Sequence, residues 1–233
     1  MDISLAELLK ESFNSGTNGM YTAIPCVVLA IDYADNRVDV QPLVNMLFKD
    51  KSTQERPTIL AVPVVFPCSS SAAITFPINI GDSVLCVFSQ TGIDGFRLST
   101  GQTTSPTDFR KFDKRDGMAI PGLMPFARSV NKQANRTLPH NPRDVVITQN
   151  LGKGTEVEIR LNESGGVSIF SPQTISVQAQ NVQINSPSTT WSGNITMNGN
   201  YTINGTLTVD GVVVNGHTHG GVQGGNATTA GMG

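Results

Sequence analysis

The sequence predicts an all-β protein with two parts: an N-terminal OB-fold barrel and a C-terminal needle, a trimeric intertwined β-helix with a metal-capped tip. Short apolar stretches separated by Gly, Pro and Asn fill residues 20–125, which is typical of a small barrel. From residue 155 onward, very short stretches alternate apolar and polar residues at a regular spacing. All sixteen Lys and Arg precede Ser164, and Asp210 is the only acidic residue that follows it.

The composition limits the possible partners. A net charge of −2 with balanced acids and bases gives no polyanion-binding face, which argues against nucleic acid. A soluble monomer normally covers its surface with mixed charges. The charge-poor C-terminal part is therefore expected to be buried against copies of itself, or to cross a medium that rejects charge. Neither a signal peptide nor a membrane-spanning stretch is evident, so synthesis in a cytoplasm is expected. Cys26, Cys68 and Cys86 are expected to be buried and free of disulfides.

The N-terminal region divides into an arm, a barrel and a connector. Within the arm, residues 1–19, Leu5, Leu8 and Leu9 form one stripe of a short amphipathic helix. A helix this short must dock on its own domain or on a neighbouring subunit. The barrel occupies residues 20–125, and residues 126–154 lack a period and are expected to connect it to the needle. Five strands are predicted in the barrel, over residues 24–32, 37–44, 59–65, 82–88 and 95–98.

Residues 155–210 are predicted to form the shaft of the needle. One chain cannot close a core here, because each strand supplies only two or three inward side chains. Three identical chains would close a triangular prism with Val, Ile and Leu inside and Ser, Thr, Asn and Gln outside. Eight strand units stacked at ~4.8 Å give a shaft of about 40 Å, comparable with a bilayer. The alternating units are residues 157–161, 167–169, 175–177, 182–184, 195–197, 201–203, 207–209 and 212–214.

The apex, residues 211–233, contains the candidate metal ligands His217 and His219. Their i, i+2 spacing in an extended strand directs both imidazoles to the same face. Three chains on an axis would provide six nitrogen ligands, which favours an octahedral metal such as Fe(II) over tetrahedral zinc. A metal with six protein ligands has no open position, so its role would be structural. The alternative is a Gly-rich tail in which two histidines occur together by chance. His140, in a Pro-rich segment, is expected to be an ordinary loop residue.

Four segments resemble the central membrane-piercing baseplate spike of contractile-tailed bacteriophages. The resemblance implies a homotrimer at the tail tip, whose OB-fold domains contact the baseplate hub protein. It further implies one structural iron ion held by His217 and His219 of three chains, and a needle driven through the host outer membrane. The expected location is the tail baseplate tip of the virion, assembled in the bacterial cytoplasm. The segments are residues 27–43, 76–85, 115–122 and the apex sequence His217-Thr-His219-Gly-Gly-Val-Gln.

Three other functions are alternatives to a piercing spike. A trimeric receptor-binding fibre or adhesin would use a similar shaft, but after Phe170 only Trp191 and Tyr201 are aromatic. The tip of a phage-tail-like contractile injection system would be built in the same way. An enzyme is not expected, because no Ser/His/Asp or Cys/His arrangement stands out and the acids of residues 113–116 read as a solvated loop.

Overall fold

The structure is a computed structural model that describes residues 4–216. It divides into two units, Met1–Ile175 and Ser176–Gly233. Strands dominate the first unit, and its helices are short. This mostly-β composition confirms the predicted all-β class.

The predicted N-terminal helix is confirmed as α1, Leu5–Asn18. Ser4 and Glu7 form a reciprocal capping box that satisfies the first free amides of the helix. All the side chains described along α1 are exposed, including the leucine stripe and Phe13. One ion pair, between Glu11 and Lys49 at 3.4 Å, joins α1 to the rest of the first unit. The helix therefore presents an apolar stripe to solvent in the single chain.

Residues 23–121 contain a five-stranded antiparallel sheet. Its strands lie in the order β5-β2-β1-β6-β7, and the sheet curls until Val64 and Ala119 form a parallel bridge. A two-stranded hairpin, β3 and β4, is inserted before β5. The strands are β1 (Ala23–Asp32), β2 (Arg37–Pro42), β3 (Met46–Leu47), β4 (Thr53–Gln54), β5 (Ile59–Pro63), β6 (Ser83–Phe88) and β7 (Gly117–Pro121).

Alternating residues of the curled sheet form the core of the first unit. Strand β6 alternates strictly, with Val84, Cys86 and Phe88 buried and its other residues half-buried. The prediction of cysteine burial is confirmed for Cys26 and Cys86 but is wrong for Cys68, which lies in an exposed Ser-rich loop. The buried apolar residues are Ile24, Cys26, Val28, Val38, Val40, Ile59, Val62, Ile78, Val84, Cys86, Phe88 and Ala119.

Four of the five predicted barrel strands are confirmed, and the fifth is wrong. Residues 95–98 belong to a short helix, α2 (Asp94–Leu98), which the amide of Arg97 closes by donating to the carbonyl of Ile93. The fifth strand is instead β7, whose Gly and Pro ends hide it in the sequence. Its central Ala119 is fully buried and bridges Val64, the residue after β5.

A second, three-stranded sheet follows in the first unit, with strand order β10-β9-β8. The sequence predicts β9 and β10, and the structure confirms both. The sequence does not predict β8, because the surrounding Pro, Asn and charged residues conceal the alternation. The strands are β8 (Val145–Gln149), β9 (Val157–Leu161) and β10 (Val167–Phe170).

The second unit contains one short hairpin among its described residues. Strands β11 (Thr208–Val209) and β12 (Val212–Val213) pair across Asp210 and Gly211, whose positive φ angles of 49° and 79° suit a tight hairpin turn. These strands confirm part of the predicted units 207–209 and 212–214. The units 175–177, 182–184, 195–197 and 201–203 form no strand in the single chain described, because a chain this extended offers them no neighbour for pairing.

Candidate functional site

The predicted metal ligands His217 and His219 lie outside the described residues. Between residues 4 and 216, no group of three His, Cys, Asp or Glu side chains is placed to hold a metal ion. The third histidine, His140, lies in a loop as predicted, with its Nε2 atom 3.2 Å from Asn131 Oδ1. Within the same range, no helix has the length and hydrophobicity needed to cross a bilayer.

The outer side of the three-stranded sheet is a continuous apolar surface. In the first row, Val145 and Val167 both pair with Leu161. In the second row, Ile147 and Ile169 both pair with Ile159, so each row crosses all three strands. Because side chains two residues apart share a face, the two rows are adjacent. We call this surface the apolar face: Val145, Ile147, Ile159, Leu161, Val167 and Ile169, which are between 45% and 67% exposed.

The opposite side of the sheet is charged and covered by residues of the same chain. Glu158 of β9 is fully buried and accepts a hydrogen bond from Arg136 Nη2 at 2.6 Å. The same Arg136 nitrogen donates to Thr148 Oγ1 of β8 at 2.7 Å. Arg160 also contacts Glu158, and its side chain is 11% exposed. The loop that supplies Arg136 therefore seals the charged side through ion pairs.

Burial on this covered side affects the pKa values of Glu156 and His140. Burial raises the pKa of Glu156, but hydrogen bonds from the backbone amides of Thr137 and Gly152 outweigh burial and hold the pKa below its ordinary value. Burial lowers the pKa of His140, and the charge of Arg136 lowers it further, so His140 is neutral at neutral pH. At neutral pH, Glu156 is therefore ionised and His140 is neutral.

The sheet is inverted relative to the usual arrangement in a soluble protein. An antiparallel sheet normally packs its apolar side on the core and turns its polar side to water. Here the charges are inside and six aliphatic side chains face outward. Sequence reasoning found the alternation of β9 and β10 but missed the surface they build with β8. The alternate positions of Val145 and Ile147 were the sequence signal that could have revealed β8 and this surface. A surface of this kind marks a site of contact with another molecule.

The exposed alternation continues beyond the three-stranded sheet. Every residue from 172 to 215 is exposed, so this segment buries no core of its own in the single chain. Its apolar side chains alternate with Ser, Thr, Asn and Gln, as the sequence predicts for a shaft. The large ones are Ile175, Val177, Val182, Ile184, Trp191, Ile195, Met197, Tyr201, Ile203, Leu207, Val209, Val212, Val213 and Val214.

A second charged cluster stabilises the five-stranded sheet. Arg110 donates through Nε and Nη2 to both carboxylate oxygens of Asp116, at 2.7 and 2.9 Å. It also binds Asp108 at 2.7 Å and contacts Asp94. Arg110 lowers the pKa of Asp116, which is fully buried. The interpretation of residues 113–116 as a solvated loop is wrong for Asp116, whose side chain is buried. Its pairing with Arg110 offsets the cost of burying the charge.

Residues 24–122 match the model of one protein family, described as the phage protein Gp138 N-terminal domain. The match supports a phage structural protein. The matched residues span the curled five-stranded sheet, from the second residue of β1 to the residue after β7. Among curated proteins, no relative matches the chain. The match thus supports the predicted bacteriophage origin, and it suggests a virion-associated tail or baseplate protein.

Proposed function

We propose that the protein is the trimeric central spike of a contractile phage tail, which pierces the host outer membrane mechanically. The observation that carries the proposal is the apolar face of the three-stranded sheet, together with the exposed alternation that follows it to residue 215. Both leave aliphatic side chains in water in a single chain. Both are covered if three chains surround one axis.

The energetic gain from covering the apolar face is large. Burying a Val, Leu or Ile side chain completely stabilises a protein by about 1.5–3 kcal/mol. The six side chains are about half exposed, so covering them is worth roughly 1 kcal/mol each. Three copies of the face would then contribute on the order of 15–20 kcal/mol before the cost of association. This gain in free energy favours assembly into a permanent trimer.

Three-fold winding also gives the extended segment the neighbours it needs. Residues 172–206 belong to no strand in the single chain, and backbone groups that are buried without a partner are costly. Strands from two other chains would pair with them and close each layer of a prism. A closed prism presents no free sheet edge, so it resists unravelling under load.

The curled five-stranded sheet supports the proposal of an OB-fold barrel in the N-terminal part of the chain. Its strand order β5-β2-β1-β6-β7 and the bridge between Val64 and Ala119, which brings the ends of the curled sheet together, support this part of the proposal. In the proposal, three such barrels contact the baseplate hub protein. The match of residues 24–122 to the phage protein Gp138 N-terminal domain supports a phage structural role for this sheet.

An iron ion is proposed to close the tip. His217 and His219 of three chains would supply six imidazole nitrogens, a donor set that suits an octahedral transition metal. When bound, the metal would link three chain ends that otherwise fray, and it would have no open position for chemistry. The role of these histidines is therefore structural, and we propose that the protein acts without catalysis.

The charge-poor needle suits passage through a bilayer. A charged side chain at the bilayer centre costs about 2.5–3.5 kcal/mol even on lenient scales. After Glu163, Asp210 is the only Asp, Glu, Lys or Arg in the sequence. Few charges therefore oppose insertion, and contraction of the tail would supply the force.

The test combines metal analysis of the purified protein with localisation on the virion. We expect one iron ion per three chains, and its loss in a variant with His217→Ala and His219→Ala. The control, His140→Ala, removes the only other histidine of the chain and should retain the iron. Immunogold labelling should place the protein at the tail tip. Label along lateral fibres would instead support a receptor-binding adhesin, and equal iron loss in the control would contradict the apex site.

A further inference from the structure

Positive charges around α2 fall into paired and unpaired groups. Arg110 is fully occupied by Asp94, Asp108 and Asp116. A neighbouring arginine, Arg115, is held by Asp113 through Nε at 2.9 Å and Nη2 at 3.1 Å. These two arginines are paired with carboxylates of the same chain.

Arg97 and Lys114 are the cations that remain. The Nη2 atom of Arg97 donates to the carbonyl of Gly117 at 2.9 Å, while its Nε atom is buried and has no hydrogen-bond partner. Neither Arg97 nor Lys114 forms an ion pair with any residue in the described part of the chain. Burial lowers the pKa of Arg97, whereas the nearby carboxylates of Asp116 and Asp94 act in the opposite direction. Both side chains are half-buried, so their charges lack full hydration.

The two unpaired cations line the same cleft, which has a volume of about 370 Å³. Its other wall comes from the start of β5, where Leu60 is 64% exposed and presents an aliphatic surface. Asp94 also lines the cleft, but Arg110 holds its carboxylate. The cleft thus combines an apolar wall with two cationic side chains that form no ion pair with any described residue.

We propose that this cleft binds a carboxylate group on a short apolar stem. Ammonium and guanidinium groups form short, charge-assisted hydrogen bonds with carboxylates. The stem would lie against Leu60, while the carboxylate would meet Lys114 and Arg97. A doubly charged phosphate fits less well, because the carboxylate of Asp94 in the same cleft would repel two negative charges more strongly than one. The carboxylate belongs either to a free dicarboxylic acid or to an acidic side chain of a protein partner.

The test is saturation-transfer NMR on the full-length protein with two probes, glutarate and the peptide Ac-Leu-Glu-Leu-NH2, at constant ionic strength. We expect saturable binding, weakened about tenfold by Lys114→Met because one charge-assisted hydrogen bond is lost. The matched control is Lys111→Met, which removes an exposed lysine three residues away and outside the cleft. It should leave the affinity unchanged.

Each outcome decides the proposal. Tighter binding of the peptide identifies an acidic side chain as the natural ligand, and tighter binding of glutarate identifies a free dicarboxylic acid. Signals that do not saturate with either probe would overturn the proposal. Equal weakening by Lys111→Met would also overturn it, because general charge attraction would then explain the binding. Circular dichroism of each variant checks that the fold is retained.

Discussion

Replacing Ile159 with Asp tests whether the apolar face joins three chains. Ile159 lies on the central strand of the sheet, paired with Ile147 on one side and Ile169 on the other. It is 45% exposed in the single chain, so about half of its burial already comes from its own chain. The monomer should therefore tolerate a carboxylate at this position, whereas a covered trimer interface should not.

The expected effect follows from that exposure. Covering the remaining surface of Ile159 is worth about 1 kcal/mol per chain, or about 3 kcal/mol per trimer. Removing a carboxylate from water costs several kcal/mol per ion in addition. Three copies of Ile159→Asp should therefore destabilise the trimer by on the order of 10 kcal/mol. Sedimentation velocity over a range of concentrations should show smaller species where the parent protein stays assembled.

A matched control separates this effect from a general loss of hydrophobicity. Leu29 of β1 has the same exposure, 45%, but lies on the five-stranded sheet, away from the apolar face. Leu29→Asp should leave the assembly intact. If Ile159→Asp sediments like the parent protein, or if both variants dissociate equally, the apolar face is not the contact between chains. Far-UV circular dichroism should show that both variants keep their strands.

Three further predictions concern stability and the metal. Arg110→Met leaves the buried Asp116 without its partner and should lower the free energy of unfolding by about 3–5 kcal/mol in urea denaturation; an unchanged midpoint would contradict this role. Arg115 lowers the pKa of Asp113 to about 2 in the folded protein, below about 3.9 in an unfolded chain. The stabilisation from Asp113 is therefore complete above about pH 4 and is lost as the pH falls towards 2. Asp113→Asn should make the melting temperature depend less on pH over this interval, and the same pH dependence in variant and parent would refute the prediction. Adding a strong Fe(II) chelator should lower the melting temperature of the parent protein but not that of the variant lacking His217 and His219; an equal shift in both would exclude a stabilising metal at the apex.

Alternation predicted most strands of the five-stranded sheet because its buried side chains belong to one chain. In β6, each second residue enters a core that the same unit supplies, so the local pattern and the tertiary structure agree. The same argument fails at β7, where the decisive residue is the small, fully buried Ala119. Its position reflects the bridge to Val64 after β5, which no local pattern encodes.

The candidate site was harder to predict, for two physical reasons. The charged side of the three-stranded sheet depends on Arg136, which reaches Glu158 from 22 positions away in the sequence. No short motif records such a contact. The apolar face in turn depends on β8, whose Val145 and Ile147 are too few to form a convincing pattern alone. Residues 172–207 illustrate the complementary case, because their alternation is clear while their neighbours belong to other chains in the proposed trimer.

Native mass spectrometry of the full-length protein tests the central claim most directly. The account predicts a single species of three times the chain mass of 24.8 kDa, plus one iron ion. Release of the iron by acid or chelator should leave the three-chain species in place, since the apolar face contributes independently of the apex. A dominant species at the mass of one chain, or at twice that mass, would contradict three-fold winding.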